Sequence, residues 1–143
     1  MTAIAFHFGA PDKVGYVCRL LRKAVGSGAK IWVVGDADVL QQIDSDLWAV
    51  SPTDFVVHCF STAESAVQNQ CRVVLSAAAQ LPVVPADVLL NLLDEIPPGF
   101  EVFERVIEVV STDSDDREWA RHRWRGYTQL GYKISRHDLT LKS

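Results

Sequence analysis

Long apolar runs are missing from this 143-residue chain: no stretch approaches the roughly 18 uninterrupted apolar residues that cross a bilayer. The first residues, MTAIAFHFGAPDK, carry no basic segment leading into an apolar one, so no secretory signal is expected. Both observations point to a soluble protein of the cytoplasm. Cysteine is scarce and badly spaced for chemistry: Cys18, Cys59 and Cys71 are odd in number, lack any C-x-x-C pair and sit in apolar surroundings. That excludes a disulfide framework and the common zinc patterns, and suits buried thiols in a reducing compartment. An excess of positive charge is missing too: 14 Lys and Arg face 18 Asp and Glu, a net charge of -4. A protein that grips phosphates along its length is normally basic, because its cations must displace condensed counterions. Any nucleic-acid role is therefore local or runs through a partner.

Motifs for nucleotide and metal chemistry are also lacking. There is no G-x-G-x-x-G. The nearest Gly-rich stretch, Gly26-Ser27-Gly28-Ala29-Lys30, lacks the Gly-Lys-Ser/Thr ending of a phosphate loop. It also follows a helical pattern and precedes a strand, the reverse of the order that aims helix N–H groups at phosphate. His7, His58, His122 and His137 show no metal-ligand spacing. His58 and Cys59 are adjacent in a strand pattern, so they point to opposite faces and make a poor base and nucleophile pair. Asp44, Asp46, Asp94 and Glu95 read more simply as turn and surface acids. No catalytic group, cofactor or metal is expected.

What the chain does have is a core: 48% of its residues are apolar and 22% charged, in a length that suits one domain, 1–143. Strands are expected over residues 3–8, 30–34, 55–60 and 72–76, with two more over 88–92 and 106–110. Between the first two, Val14, Val17, Cys18, Leu20, Leu21 and Val25 recur at helical spacing over 13–27, with Asp12 as N-cap and Gly26 or Gly28 at the end. A shorter helix fits 38–48. Alternating strands and helices imply βαβ units, so the expected fold is α/β: a mostly parallel central sheet flanked by helices on both faces, Rossmann-like or P-loop-like in topology but without a nucleotide site.

The clearest helix comes last, over 115–130, capped from the run Ser111 to Asp116 and stopped by Gly131. At 100° per residue, Trp119, Ala120, Trp124, Tyr127 and Leu130 share an arc expected to pack on the sheet. Arg117, Arg121 and Arg125 form a stripe beside it, with Trp124 at the border. Arg123 points into the apolar arc and needs a partner that the sequence does not name. Cations beside an aromatic edge suit a ligand both acidic and apolar, because guanidinium groups bind carboxylates in a fork while a ring supplies an apolar wall. The residues alone leave a second reading open, a solvated basic face with Trp124 in the core. They also permit direct single-stranded nucleic-acid binding, with arginines on phosphates and Trp124 under a base.

The segment Arg117-Glu118-Trp119-Ala120-Arg121-His122-Arg123-Trp124-Arg125-Gly126-Tyr127, followed by Gly131-Tyr132, resembles the C-terminal signature of the DNA polymerase III chi subunit family. Upstream, Leu47-Trp48 and then Phe55-Val56-Val57-His58 resemble a second family motif, with Val57 where proline is usual. The resemblance implies an adaptor with no catalytic residue of its own. It would bind the acidic, aromatic-ended C-terminal tail of single-stranded DNA-binding protein. It would also bind the psi subunit and, through it, the clamp loader. By the same resemblance the tail would meet Arg117, Arg121, Trp124 and Arg125, and psi would meet Trp48, Phe55 and His58. Trp48 and Phe55 also fit a plainer role as core aromatics.

Overall fold

The run Ile31-Trp32-Val33-Val34 has no polar residue, so a strand there must be covered on both faces. The structure, a computed structural model, describes residues 2–48, 58–77 and 86–139. In it β2 (Ile31–Val34) is buried at all four positions. Ile31 and Val33 pack into one core with Val17, Cys18 and Leu21 of α1 (Lys13–Gly26) and Leu40, Ile43 and Leu47 of α2 (Ala37–Trp48). Trp32 and Val34 face the other way, into a second core that includes Ala120 and Tyr127 of α4 (Ser114–Gln129).

The sheet is parallel throughout. With β1 (Ala3–Ala10), β3 (His58–Phe60), β4 (Val73–Ser76), β5 (Val88–Asn91), β6 (Arg105–Ser111) and β7 (Ile134–Asp138), the strand order is β3-β4-β2-β5-β6-β1-β7. Each pairing is parallel. The chain leaves β1 through α1 on one face and leaves β6 through α4 on the other. The two crossovers run in opposite directions along the sheet, and a parallel sheet opens a crevice at the carboxyl ends of its strands where that happens. Those ends carry Phe8, Gly9 and Ser111. Gly9 takes a positive φ of 83° at the point where β1 shifts register against β6, a conformation that glycine adopts without a Cβ penalty.

Expected and observed elements agree closely in the apolar strands and in α1, α2 and α4, and the sheet is wholly rather than mostly parallel. Three short elements were not expected: α3 (Ser65–Gln70), a 3-10 turn over Phe100–Val102, and β7. Residues 55–57 of the third expected strand, Phe55 and Val57 among them, lie outside the described residues. Cys18 and Cys71 are buried as expected, while Cys59 is only half-buried. Burial pushes the Cys18 thiol up to about 11 and that of Cys59 up to about 12, so neither is a thiolate at neutral pH. Among the described residues no helix is long and apolar enough to cross a membrane.

Candidate functional site

Helix α4 is held first at its N-terminus. Asp113 caps it, its carboxylate accepting from the Asp116 N–H at 3.1 Å. The Asp116 carboxylate accepts in turn from the Ser111 N–H at 2.8 Å and from Lys13 Nζ at 3.2 Å, tying the start of α4 to the end of β6 and the start of α1. Burial alone would raise the Asp116 carboxyl; the Ser111 amide and the Lys13 ammonium outweigh it and hold the group below its ordinary value. At the other end, Gly131 turns the chain out of the helix with φ 89°.

The buried face of α4 differs from the expected arc. Ala120, Arg123 and Tyr127 are its buried residues. Trp119 and Leu130 are 44% and 60% exposed, on the flank of α4 away from the arginine stripe. The place expected for apolar side chains is taken by an ion pair: Arg123 Nε donates to Glu108 Oε1 at 2.9 Å, with both side chains almost wholly buried. Glu108 Oε2 also accepts from the Tyr127 hydroxyl and from Asn91 Nδ2, each at 2.8 Å. Arg123 donates further to the Asp94 carbonyl at 3.2 Å. Burial pushes the Glu108 carboxyl up, against the pull of Arg123 and the hydrogen bonds from Asn91 and Tyr127. The Tyr127 phenol is raised as well, by its burial and by the charge of Glu108. Glu108 is thus the partner that Arg123 required, 15 residues away in sequence.

With α4 fixed in this way, the arginine stripe borders a hollow of about 310 Å³ lined by Phe8, Arg117, Arg121, Trp124, Arg125 and Arg136. The stripe spans two helical turns, about 12 Å. Trp124 is half-buried, its ring 5.1 Å from that of Phe6 and 6.0 Å from that of Phe8. Arg121 Nη1 lies 2.8 Å from Glu118 Oε2 in an exposed pair, so the site carries its own competing carboxylate. The lining is four guanidinium groups and two aromatic rings. Arginine stays protonated in proteins, so this lining offers fixed positive charge beside an apolar wall. All four residues expected at a tail site line it. Phe8 and Arg136 were not expected there.

The other expected site residues do not join this hollow. His58 opens β3 at the opposite edge of the sheet, with its Nε2 2.8 Å from Asp44 Oδ1. Trp48 ends α2 and is 64% exposed, so it is not a core aromatic; its ring meets that of His58 edge-on at 5.6 Å. Phe55 lies outside the described residues. Among the described residues no three His, Cys, Asp or Glu side chains gather as a metal ion would require.

A family model described as DNA polymerase III chi subunit, HolC, matches residues 1–135. The chain belongs to the DNA polymerase III chi subunit family. Two relatives named DNA polymerase III subunit chi are similar over most of their length. That of Pseudomonas aeruginosa is 30% identical over 123 residues, covering 85% of this chain and 83% of the relative. That of Haemophilus influenzae is 28% identical over 119 residues, covering 82% and 81%. This chi-family chain is thus an accessory subunit of DNA polymerase III, and four of the six residues that line its hollow lie in the segment Arg117 to Tyr127.

Proposed function

We propose that this chi-family chain is a non-catalytic adaptor of the DNA polymerase III holoenzyme. It links the clamp loader, through a psi subunit, to the C-terminal tail of single-stranded DNA-binding protein during replication in the cytoplasm. One observation carries the reading: the hollow of about 310 Å³ lined by four arginines, Trp124 and Phe8. An acidic tail ending in an aromatic residue and a free carboxylate matches it in each part. The terminal ring stacks on the Trp124 and Phe8 wall, and the terminal carboxylate takes a guanidinium fork from Arg121 or Arg125. The small volume favours a peptide tip over a run of stacked nucleotides. The psi-facing surface is assigned to Trp48 and His58, with Phe55 beside them in sequence. Trp48 exposes a large apolar side chain there.

Titration calorimetry with such a peptide tests the tail site. The chain is expected to bind it, and Arg121→Ala is expected to weaken binding by about tenfold, as loss of a charge-assisted contact does. No binding, or an Arg121→Ala chain that binds equally well, overturns the assignment. Tight binding of single-stranded DNA with no peptide binding moves the function to direct nucleic-acid recognition. Trp48→Ala is expected to keep the fold, since the ring is mostly exposed, and to lose capture of a psi subunit.

A further inference from the structure

Arg136 lies outside the chi signature, on the edge strand β7. Parallel pairing sets Arg136 opposite Phe6 and Asp138 opposite Phe8. Period-two alternation gives Arg136 the same side as Ile134, which packs into the α4-side core. Its guanidinium carbon sits 4.7 Å from the centroid of the Phe8 ring. That ring is itself held, stacked on Phe6 at 5.7 Å and tilted against Trp124. A guanidinium held over a ring face still has N–H donors left for an acceptor. The Asp138 carboxylate is 3.8 Å from Arg136 Nη2, beyond hydrogen-bond length, in a pair whose arginine is 62% exposed. A second hollow of about 240 Å³, reaching Gly9, Ser111 and Thr112, shares Phe8, Arg117 and Arg136 with the first. The two meet at the Arg117–Phe8–Arg136 rim.

We infer that Arg136 is a specificity-determining residue that takes a side-chain carboxylate of the tail upstream of its aromatic tip. The inference deepens the tail-binding reading and rests on it. With the tip at the Trp124 and Arg125 end, an extended peptide leaving along the stripe covers about 3.3 Å per residue. It reaches the Arg117–Arg136 rim within three or four residues of its terminus. Arg117 stands on the helix side of that rim and Arg136 on the strand side, so an acidic side chain there meets two cations from separate elements. The tail is thereby read twice, at its terminal carboxylate and at an acidic side chain before it.

Calorimetry on the full chain with two peptides tests this. One is acidic with an aromatic residue and free carboxylate at its end. The other keeps that end but carries Asn and Gln in place of every upstream Asp and Glu. Arg136→Gln is expected to weaken binding of the acidic peptide about threefold to tenfold, the range of a partly exposed charge contact, and to change binding of the amide peptide less than about twofold. Arg136→Lys, which keeps the charge and loses the guanidinium fork, is expected to fall between. Equal losses for both peptides, or no loss for either, overturn the inference alone, provided that Arg121→Ala still weakens binding by about tenfold. If neither peptide binds the unsubstituted chain, the tail site falls and the role of Arg136 with it. Thermal melting of each variant confirms that these exposed substitutions leave the fold intact.

Discussion

Taking away the Arg123 guanidinium would leave the Glu108 carboxylate sealed from water with only the Tyr127 and Asn91 donors. A buried charge that loses its partner typically costs about 3–5 kcal/mol, whereas replacing both partners by apolar groups of similar volume is often neutral. Arg123→Met is therefore expected to lower unfolding stability by about 3–5 kcal/mol, and the double substitution Arg123→Met with Glu108→Leu to recover much of that. Urea unfolding of the two single variants and the double one checks this. Additive losses would mean that the pair is not coupled. Arg123 could be singled out from the sequence because helical periodicity put a charge on an apolar arc. Glu108 could not, because it sits inside the strand Arg105–Ser111 as one polar residue of a βαβ unit, and no spacing rule joins it to a helix that follows. The buried face is the middle of the expected arc, Ala120, Arg123 and Tyr127, and Trp119 stands at its edge.

At the scale of elements, α4 is pinned through one carboxylate, and the pinning has a pH signature. Asp116 is held below its ordinary value of 3.8 by the Ser111 N–H and Lys13, against its burial. A depressed folded-state value means that the unfolded chain binds the proton more readily. The contribution is then fully present above the unfolded value and is lost as pH falls through the folded one. Asp116→Asn is expected to lower the urea midpoint at pH 7, with the gap to the unsubstituted chain narrowing only below about pH 4. A gap of equal size at pH 3 and pH 7 would show that the charge of Asp116 is not what fastens the helix. The long helix and the apolar strands were legible because each carries its own period. Strand β7 was not: Ile134-Ser135-Arg136-His137-Asp138 has one apolar residue and lies at the sheet edge, where one side is solvated. Helix α3 is six residues long, and its buried side chain is Gln68, whose amide donates to the Ser61 and Ala63 carbonyls. A short segment held by polar bonds leaves no hydrophobic pattern to read. With β7 hidden, so was Arg136, and the period of β1 alone did not mark Phe8 as part of the hollow.

Across the whole molecule the two proposed partner surfaces sit on opposite edges of the sheet, the Trp48 and His58 face at β3 and the arginine hollow at β7. Six strand spacings of about 4.8 Å separate the edges by roughly 29 Å, enough for an adaptor to hold two partners without collision. The chain as a whole carries a net charge of -4 and would repel an acidic peptide, so the attraction has to be local. Screening makes it so: charges farther apart than about 8 Å are largely hidden from each other at physiological salt. Glu118 pairs with Arg121 at 2.8 Å, inside that range. Glu101 lies at the far end of β1, where its carbonyl accepts from Thr2. Phe8 is six residues along that strand from Thr2, about 20 Å away. Glu118→Gln is therefore expected to tighten tail binding by about twofold to fivefold at physiological salt, by releasing Arg121 from an exposed pair of ordinary strength. Glu101→Gln is expected to leave affinity unchanged there, and to tighten it measurably only near 10 mM salt, where the screening length grows to about 30 Å. Calorimetry of both variants at the two salt concentrations separates local from global charge. Equal gains from the two substitutions at physiological salt would show that the net charge of the chain, and not the arginine ledge, governs capture of the tail.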